Sequence, residues 1–518
     1  MRKCLEDLQI PCRWVPDMGY GNGFPLFNYY SVFPYYLGAI LSYILGYLGA
    51  AKALFLIPLV AGGVTMYLLA RQLWGRLSGI TAAALYLFAP YRALDAYVRG
   101  AVAESFALAL IPLVFYFLLR LIKKPSQRNF LGLSLSSAAF LTTHNIMTLL
   151  FVPVIFIWGV LFLWIQKWAH LKTTVFSLLL GFGLASFFLL PAFVETSLVR
   201  TDTLTRMDLN FRAHFVTVGQ LFFDRSFGYG ASIPGPFDSL SFQIGWPHWW
   251  LVPAAVVLGL LGWLVKKDFL NKLPARGFIL IILLALAFLM SVFMTHNRSA
   301  FVWEAIGLLR FFQFPWRFLS LAIFSASLLG GALILILAGR AKKVVLVLII
   351  VSTMALNWSF FKPEHFFPTL TDRKKLSGEM WETQQKASIL DYLPKTAYEP
   401  QERAPNRPII VSGQVTLGDF DNRSNRWNFS INVSEKAVVE IPVFDFPVWQ
   451  VTVNGQKFPY SHDNLMGRVM IDLQPGEYQV AGKLTNTPIR NLGNIITLIS
   501  LLITGGVAWY GKRQRIFH

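Results

Sequence analysis

Long apolar runs recur along most of the chain and are separated by short polar segments. About twenty apolar residues span the hydrocarbon core of a bilayer as an α-helix. No stretch has the alternating pattern that membrane β-barrel strands require. The pattern therefore predicts a polytopic α-helical membrane protein. The predicted spans are 52–71, 78–93, 103–122, 129–143, 146–165, 173–192, 249–265, 276–294, 317–339, 343–360 and 492–511, of which 78–93 and 129–143 are short.

One further apolar run, 33–49, can be interpreted in two ways. As a span, it would leave residues 1–32 in the cytoplasm. Its aromatic residues and repeated Leu-Gly steps instead favour a helix that lies in the membrane interface, with residues 1–32 outside. Apolarity alone favours the span, so the residues leave both interpretations open.

Charge fixes the predicted orientation of the spans. The chain is 55% hydrophobic and 14% charged, which excludes a soluble protein, and its formal net charge is +19. Most of this charge lies in short loops on one side of the predicted spans, where only Asp268 opposes it. Cytoplasmic loops of membrane proteins are enriched in Lys and Arg, so the charge predicts sidedness rather than nucleic-acid binding. These loop residues are Arg71, Arg76, Arg120, Lys123, Lys124, Arg128, Lys167, Lys172, Lys266, Lys267, Lys272, Arg276, Arg340, Lys342, Lys343, Lys512, Arg513 and Arg515.

The same orientation divides the chain into domains. The protein is predicted to lie in the plasma membrane. Its long polar segments fall on the extracytoplasmic side, and its C-terminus lies in the cytoplasm. The predicted domains are an external segment with an interfacial helix (1–51), a multi-span domain (52–360) with a large external loop (193–248), an extracytoplasmic domain (361–491), and a final span with a basic tail (492–518).

The extracytoplasmic domain is predicted to be β-rich from about residue 409. Asn454-Gly455 between two strand-like runs is typical of a type I′ hairpin. Two further strands, RVMIDL and EYQVAGKL, are joined by a turn at Gln474-Pro475-Gly476. We expect a small antiparallel sandwich, preceded over 361–408 by short helices and loop.

Charged residues at the predicted membrane border are the first candidates for a binding site, since they are costly to desolvate. Arg310 and Arg317 flank the motif FFQFPW, which contributes Gln313 and Trp316. A guanidinium at the outer mouth can bind a phosphate group. The alternatives are contact with lipid headgroups or an ion pair with Glu304.

Four other polar residues are candidates. Arg99 and Glu104 bracket the start of a span, where they are either site residues or form an ion pair with each other or with Asp95. His144 lies where two apolar runs meet and is either a binding residue or a structural histidine. Glu195 ends another span, where a carboxylate could act as a base or a metal ligand, or could be an exposed loop residue. Glu104 and Glu195 are thus the candidates for a catalytic acid.

Other residue types add little chemistry. A disulfide between Cys4 and Cys12 stays open, and no Cys/His spacing predicts a metal site. Trp246, Trp249 and Trp250 fit a sugar-stacking surface or, more simply, an interfacial aromatic belt.

An ordered set of motifs resembles a known membrane-protein family. IPCRWVPD (10–17) with the following GYGNGFPLFNYY, then YVRGAVAE (97–104), LTTHN (141–145), LLPAFVE (189–195) and LLRFFQFPWRFL (308–319) are similar to the 6-pyruvoyl-tetrahydropterin synthase-related membrane proteins. The C-terminal sheet with the last span also resembles YfhO-like membrane proteins. Despite the family's name, the sequence shows no soluble pterin-synthase domain.

The resemblance implies a fold and an activity. The family is grouped with GT-C glycosyltransferases, which implies sugar transfer from a polyprenyl-phosphate donor to a glycan or lipid acceptor outside the cell, with an optional divalent metal. It also implies that 33–49 lies on the membrane surface, and that a first span and its catalytic acid are missing upstream. Asp17 is not at the position of that acid, so the role is not transferred to it.

Two other functions stay open. A chain without the acid could be a non-catalytic protein that assists assembly or export of surface polysaccharide. A lipid or sugar transporter is a third alternative, but transporters place charged residues near the membrane midplane, whereas here they lie at the outer ends of the spans.

Overall fold

The computed structural model describes residues 1–235, 237–264, 273–387 and 390–516, so the predicted basic residues Lys266, Lys267 and Lys272 lie outside the described residues. The helices within the described ranges are α1 (Arg2–Glu6), α2 (Leu26–Tyr29), α3 (Phe33–Trp74), α4 (Arg76–Leu87), α5 (Pro90–Ala93), α6 (Val102–Lys123), α7 (Gln127–Leu141), α8 (Asn145–Ile165), α9 (Leu171–Val194), α10 (Val218–Phe222), α11 (Trp246–Leu264), α12 (Ala275–Thr295), α13 (Ala300–Ala305), α14 (Leu319–Ile336), α15 (Gly339–Asn357), α16 (Asp372–Lys375), α17 (Gly378–Lys386) and α18 (Pro488–Ile516). The strands are β1 (Ile409–Ser412), β2 (Val415–Leu417), β3 (Asp421–Asn422), β4 (Arg426–Val433), β5 (Ala437–Phe444), β6 (Trp449–Val453), β7 (Gln456–Lys457), β8 (Arg468–Leu473) and β9 (Gly476–Leu484).

The helical pattern predicted from the apolar runs is confirmed. Within the described residues, nine helices are long and apolar enough to cross a membrane, and they coincide with nine of the predicted spans. The helices that meet this condition are α3, α6, α8, α9, α11, α12, α14, α15 and α18. The chain is therefore an integral membrane protein, and the orientation of its spans stays a prediction.

The two short predicted spans are helices of smaller extent. The run 78–93 gives α4 of 12 residues, and 129–143 gives α7 of 15 residues, both below the length that crosses the hydrocarbon core. α4 ends before Pro90, and Ala89 takes an extended conformation with ψ 131°. A residue before proline is driven out of the helical region by the proline ring, so the apolar run cannot continue as one helix.

The apolar run 33–49 contains a break within α3. Gly46 leaves the helical conformation with φ 70°, so α3 consists of two helical stretches: one begins at Phe33 and the other ends at Trp74. The Asp372 carboxylate then accepts hydrogen bonds from the backbone N–H groups of Tyr47 (2.7 Å) and Leu48 (2.8 Å). An acceptor at this position satisfies donors that the first turn of a helix leaves unpaired.

Substituting Gly46 by alanine should weaken this junction. A Cβ atom at residue 46 would lie 2.6 Å from Oδ2 of Asp372, and the positive φ is strained for any residue with a side chain. We expect a loss of about 1–3 kcal/mol in stability, measured as a lower melting temperature of the purified protein. Gly307→Ala is the control, because open space surrounds Gly307. Equal melting temperatures for both variants would contradict the strain at Gly46.

Contacts divide the chain into two compact units. The first unit comprises Met1–Ala51, Gly183–Thr203 and Pro368–Ile503, and the second comprises Lys52–Phe182, Leu204–Phe367 and Thr504–His518. α14 forms the centre of the second unit and packs against α4, α11 and α12, with 94% of its apolar window buried. Small residues such as Gly330 and Gly331 allow this close approach: a Cβ at Gly331 would lie 2.9 Å from the backbone of Ser78.

The first unit contains the predicted antiparallel sandwich. One sheet has the order β1-β5-β8, and the other has β2-β4-β9-β6-β7 with β3 paired to β4. The described strands begin at Ile409, and short helices α16 and α17 precede them, as predicted. The Asn454-Gly455 hairpin is confirmed, because β6 and β7 pair across it and both residues have positive φ.

The turn at 474–476 connects the two sheets instead of closing a hairpin. β8 pairs with β5, whereas β9 pairs with β4 and β6. β9 lies between β4 and β6 in its sheet, and the burial of its side chains alternates from Glu477 onward. Trp427, Val439, Val451 and Ile471 are among the side chains that the two sheets bury in a common core.

The N-terminal segment of the first unit contains a disulfide bond and packs against the sandwich. Cys4 and Cys12 form a disulfide, which settles the question that the sequence left open. Trp14 is 1% exposed and packs edge-on against Trp449, with ring centroids 5.5 Å apart. The segment that carries the family motif is therefore part of the core of this unit.

Candidate functional site

The second unit buries a cluster of charges where α6 and α14 begin. Glu104 lies in the first turn of α6, and its Oε2 atom is 2.9 Å from Nη1 of Arg99 and 3.8 Å from Nε of Arg317. Glu104 is fully buried, whereas the side chains of Arg99 and Arg317 are 14% and 9% exposed. One buried carboxylate thus lies between two arginine side chains that are slightly exposed.

Two further side chains hold this arrangement in place. Asp95 forms an ion pair with Arg99, and Tyr91 donates its hydroxyl hydrogen to Glu104. Asp95 and Arg99 are brought onto one side by the π-helix Leu94–Val98, after which α6 restarts at Val102. The wider π-helical turn is frequent at functional sites because it re-aims side chains that an α-helix would direct elsewhere.

The motif FFQFPW positions Arg317 by its backbone. Nη1 of Arg317 donates to the carbonyl oxygen of Phe312 (2.6 Å) and to Oε1 of Gln313 (3.0 Å). Gln313 has φ 64°, which turns the chain sharply before Pro315 starts the turn that leads into α14. Pro fits the first position of a helix because its missing N–H would be unpaired there.

Aromatic rings form one wall of the cluster. The guanidinium of Arg99 lies 4.5 Å from the centre of the Trp316 ring, and that of Arg317 lies 5.0 Å from the Phe314 ring. Phe314 and Trp316 are themselves stacked at 4.8 Å. Cation–π contacts of this kind fix the orientation of the guanidinium groups.

The cluster is electrostatically suited to an anion. Burial, together with the nearby charge of Glu104, raises the pKa of Asp95 well above its usual value. Two arginine side chains, both slightly exposed, thus lie beside the fully buried carboxyl groups of Asp95 and Glu104. The N-terminal ends of α6, α8 and α14 carry partial positive charge, which favours a bound anion.

His144 caps α8 at the same place. Its Nδ1 atom accepts a hydrogen bond from the backbone N–H of Met147 at 3.1 Å, and the charges of Glu104, Arg317 and Arg99 lie close enough to influence its pKa. Desolvation lowers the pKa of His144 to about 4, so the ring is neutral at physiological pH. It therefore serves as a neutral cap that adds no further positive charge.

The low pKa of His144 predicts a pH-dependent stability. The unfolded chain protonates this histidine near pH 6.5, while the folded protein does so only near pH 4, so stability should fall as the pH drops through this window. The full shift corresponds to about 3 kcal/mol, less whatever solvent screening removes. His144→Asn keeps a capping acceptor but does not titrate. Its melting temperature should change less than that of the wild type between pH 7 and pH 4.5; equal changes would contradict the assignment.

Two predicted site residues lie outside this cluster. Arg310 is exposed, and within the described residues Glu304 pairs with Arg212 at 2.8 Å instead of with Arg310. Glu195 belongs to the first unit, where it is 4% exposed, so its interpretation as an exposed loop acid is wrong.

Glu195 forms its own buried network. Its Oε2 atom accepts from Nη2 of Arg490 (2.7 Å), Nε of Arg490 (2.9 Å) and Nδ2 of Asn28 (2.8 Å), and Thr487 donates to Oε1. Arg13 donates to Oδ1 of Asn28 at 2.9 Å. Burial lowers the pKa of Arg13 to about 10, which still leaves it charged at neutral pH.

Six of the eight candidate residues lie in this cluster, the ion pairs of Arg99 with Glu104 and Asp95 are those that the sequence offered as an alternative, and only the partner Tyr91 was missed. The six are Arg99, Glu104, His144, Gln313, Trp316 and Arg317. Asp95 had a signal, because it stands four residues before Arg99 in a helical segment, a spacing that favours ion pairs. Tyr91 had none, since its contact with Glu104 depends on how the chain turns at Pro90.

The sequence also raised two other kinds of site, a metal site and a sugar-stacking surface of tryptophans. Within the described residues, no three His, Cys, Asp or Glu side chains are grouped so that they could hold a metal ion. Trp249 and Trp250 stack on each other at 4.2 Å, and Trp250 is 60% exposed at the start of a candidate membrane helix. This placement fits the interfacial belt that the sequence offered as the simpler interpretation.

Comparison with known proteins supports the family resemblance over part of the chain. Residues 27–224 match the model of the 6-pyruvoyl-tetrahydropterin synthase related domain, described as a membrane protein. An uncharacterized protein of Lactococcus lactis subsp. cremoris (strain MG1363) is 26% identical over 200 residues, which cover 36% of this chain and 32% of that protein. The predicted resemblance is thus confirmed for the region that holds Arg99, Glu104 and His144.

A solved structure is also similar. The arabinofuranosyltransferase AftD from Mycobacteria aligns with 72% of this chain and 25% of its own length, with a TM-score of 0.42 and 16% identity. The chain therefore spans about a third or less of the length of these two relatives. The GT-C-like arrangement of the helices and the YfhO-like character of the C-terminal part stay predictions.

Proposed function

We propose that this protein is a membrane glycosyltransferase of the GT-C type. It takes a sugar from a polyprenyl-phosphate donor on the extracytoplasmic face and transfers it to a glycan or lipid of the cell envelope. The observation that supports this proposal most is the buried cluster in which Arg99 and Arg317 share one carboxylate, Glu104. Its two arginine side chains lie where a lipid-linked phosphate would arrive at the membrane border.

The chemistry requires such a charge. Transfer breaks the bond between the sugar's anomeric carbon and the phosphate oxygen, and forms a bond from that carbon to an acceptor oxygen, whose proton ends on the released phosphate or in the surrounding water. The leaving polyprenyl phosphate gains negative charge as the bond breaks. A preorganised guanidinium is worth most at the point where charge develops, because it stabilises the transition state more than the ground state.

The roles of the other residues follow from their geometry. Glu104, Asp95 and Tyr91 position the two arginines, while Gln313 and the rings of Phe314 and Trp316 fix Arg317. Glu104 and Glu195 are buried and ion-paired, so the proposal assigns neither of them as the base. Metal dependence is left to the assay.

The test is a transfer assay with the full chain in lipid nanodiscs. Undecaprenyl-phosphate-linked sugars are supplied one at a time, with and without a cell-envelope glycan acceptor and with added Mg²⁺ or EDTA. We expect release of undecaprenyl phosphate, detected by mass spectrometry, that requires both the acceptor and the protein. Release at the same rate without the acceptor or without the protein would contradict the proposal.

One observation favours a second candidate, a non-catalytic protein that binds lipid-linked phosphates during surface polysaccharide assembly. Asp95 and Glu104, the carboxylates of the cluster, are both fully buried, so neither offers a base to an acceptor. Retention of undecaprenyl phosphate by the protein, with no turnover of any donor, would support this candidate over the enzyme.

A further inference from the structure

The bond between Cys4 and Cys12 closes a short loop in the first unit, the disulfide loop (4–12), and two large apolar side chains project from it. Leu8 is 77% exposed and Ile10 is 70% exposed, whereas Gln9 between them is only 6% exposed. The loop therefore turns its polar residue inward and presents the two apolar neighbours outward, which is the reverse of the arrangement that water favours.

The backbone of the disulfide loop is held by the sandwich. Nε2 of Gln9 donates to the carbonyl oxygen of Ser424 at 2.7 Å, and the Asp7 carboxylate accepts from the backbone N–H of Ser424 at 2.7 Å. Leu8 lies between these two anchors with φ 59°, in the left-handed region that a residue with a side chain rarely adopts. The anchors hold Leu8 in this unfavourable conformation, and with it the outward direction of its side chain.

The disulfide loop also lies along the first helical stretch of α3. The guanidinium of Arg2 lies 4.3 Å from the centre of the Tyr43 ring, and the backbone N–H of Cys12 donates to the hydroxyl of Tyr36 at 2.8 Å. The two tyrosines are seven residues apart, which places them on one side of a helix. The segment that contains the loop therefore follows this side of α3, with its two apolar side chains between the two contacts along the chain.

The same side of α3 exposes apolar residues of its own. Ile40 and Ile44 follow Tyr36 at a spacing of four residues, and they are 57% and 79% exposed. After the break at Gly46, α3 continues into a helix that is apolar enough to cross a membrane. The exposed apolar residues of the loop and of α3 thus lie beside the point where the chain enters the bilayer.

The charges of this segment are balanced within it. Arg2 pairs with Glu6 at 2.8 Å, and Nζ of Lys3 lies 3.9 Å from Oδ1 of Asp17. An anionic lipid headgroup would have to compete with these carboxylates. Contact with a membrane surface would therefore rest on the apolar side chains and not on net charge.

We propose that the disulfide loop contacts the membrane, with Leu8 and Ile10 entering the interfacial layer of the bilayer. The partner is the lipid surface, because the membrane helix that follows Gly46 already brings this part of the chain to the bilayer border. Transfer of two leucine-sized side chains out of water is favourable there. The loop then ties the sandwich to the membrane through its bonds to Ser424, and this role does not depend on sugar transfer.

The test places a nitroxide label on the disulfide loop of the full chain in phosphatidylcholine nanodiscs. The only two cysteines of the sequence, Cys4 and Cys12, are joined, so Leu8→Cys adds a single reactive thiol. Mass spectrometry of the linked peptide checks that the native disulfide is retained. Leu465→Cys with the same label is the matched control, because Leu465 belongs to the same unit and is 92% exposed.

Electron paramagnetic resonance then compares collisions of the label with oxygen, which concentrates in lipid, and with a water-soluble nickel complex. We expect the ratio of oxygen to nickel accessibility to be at least about threefold higher at residue 8 than at residue 465. Ile10→Cys should give the same result, so the test does not depend on one variant. The ratio should be the same when phosphatidylglycerol is added, because Arg2 and Lys3 are paired within the segment.

Three results would overturn the proposal. Ratios at both loop positions equal to that at residue 465 would mean that the loop faces water. Low accessibility to both reagents would mean that protein covers the loop, either a second copy or another segment of the chain. A raised ratio only with phosphatidylglycerol would assign the contact to Arg2 and Lys3 instead of the apolar side chains. Loss of transfer with a raised ratio intact would contradict only the transferase proposal.

Discussion

Replacing Arg317 with glutamine should reduce sugar transfer by about 100-fold or more, chiefly through kcat. The guanidinium is held by the carbonyl of Phe312 and by Gln313 at the edge of the cluster, so in the proposed reaction it is preorganised for the charge that develops on the leaving phosphate. Loss of one preorganised donor in comparable sites costs about 10²–10³-fold in rate. Arg317→Lys should restore only part of the rate, because an ammonium group cannot reproduce the planar fork.

Arg310 provides the matched control for this prediction. It lies seven residues before Arg317, belongs to the same motif and carries the same charge, but it is exposed. Arg310→Gln should change the rate less than about threefold, as expected for a surface charge. Equal losses in the two variants would mean that overall charge, and not the geometry around Glu104, supports transfer.

Replacing Glu195 with alanine should destabilise the first unit by about 3–5 kcal/mol. The change leaves the guanidinium of Arg490, which is 1% exposed, without its counter-ion and leaves Asn28 without an acceptor for its side-chain N–H. Removing one partner of a buried pair costs more than the pair contributes, since the remaining charge stays desolvated. The measurement is the midpoint of chemical unfolding of the purified protein.

The control pair is Arg212 with Glu304. These side chains are also 2.8 Å apart, but they are 59% and 49% exposed. Glu304→Ala should cost no more than about 1 kcal/mol, because water and salt screen an exposed pair. A double variant, Glu195→Met with Arg490→Met, should recover much of the stability lost in Glu195→Ala. A cost for Glu195→Ala as small as that for Glu304→Ala would show that the buried pair is not what holds this unit together.

Periodicity in the sequence predicted the elements that depend on local signals. Apolar runs located nine membrane helices, and Asn454-Gly455 located a hairpin, because both signals act over a few neighbouring residues. Pairing of β9 with β4 and β6 could not be predicted, since it depends on how two sheets pack and not on the turn before it. The early end of α4 had a local cause, Pro90, that the apolarity of 78–93 concealed.

The candidate site also divides into residues with a local signal and residues whose contacts depend on the fold. Arg99, Glu104 and Arg317 could be selected because charge at a membrane border is costly wherever it occurs. Arg310 met the same criterion and lies outside the cluster, because one turn of backbone at Gln313 separates the two arginines. The partner of Glu195 could not be found, since Arg490 is almost three hundred residues away and only the fold brings it near.

The Asn454-Gly455 hairpin has a practical consequence for membrane topology. Both residues are exposed at the tip between β6 and β7, and open space surrounds Gly455. Exposed loop tips of this kind tolerate inserted sequence, because they contribute no side chain to the core. A short epitope inserted between them would be displayed on whichever side of the membrane the sandwich occupies. Antibody labelling of intact and permeabilised cells would then report the sidedness of the whole chain from a single insertion.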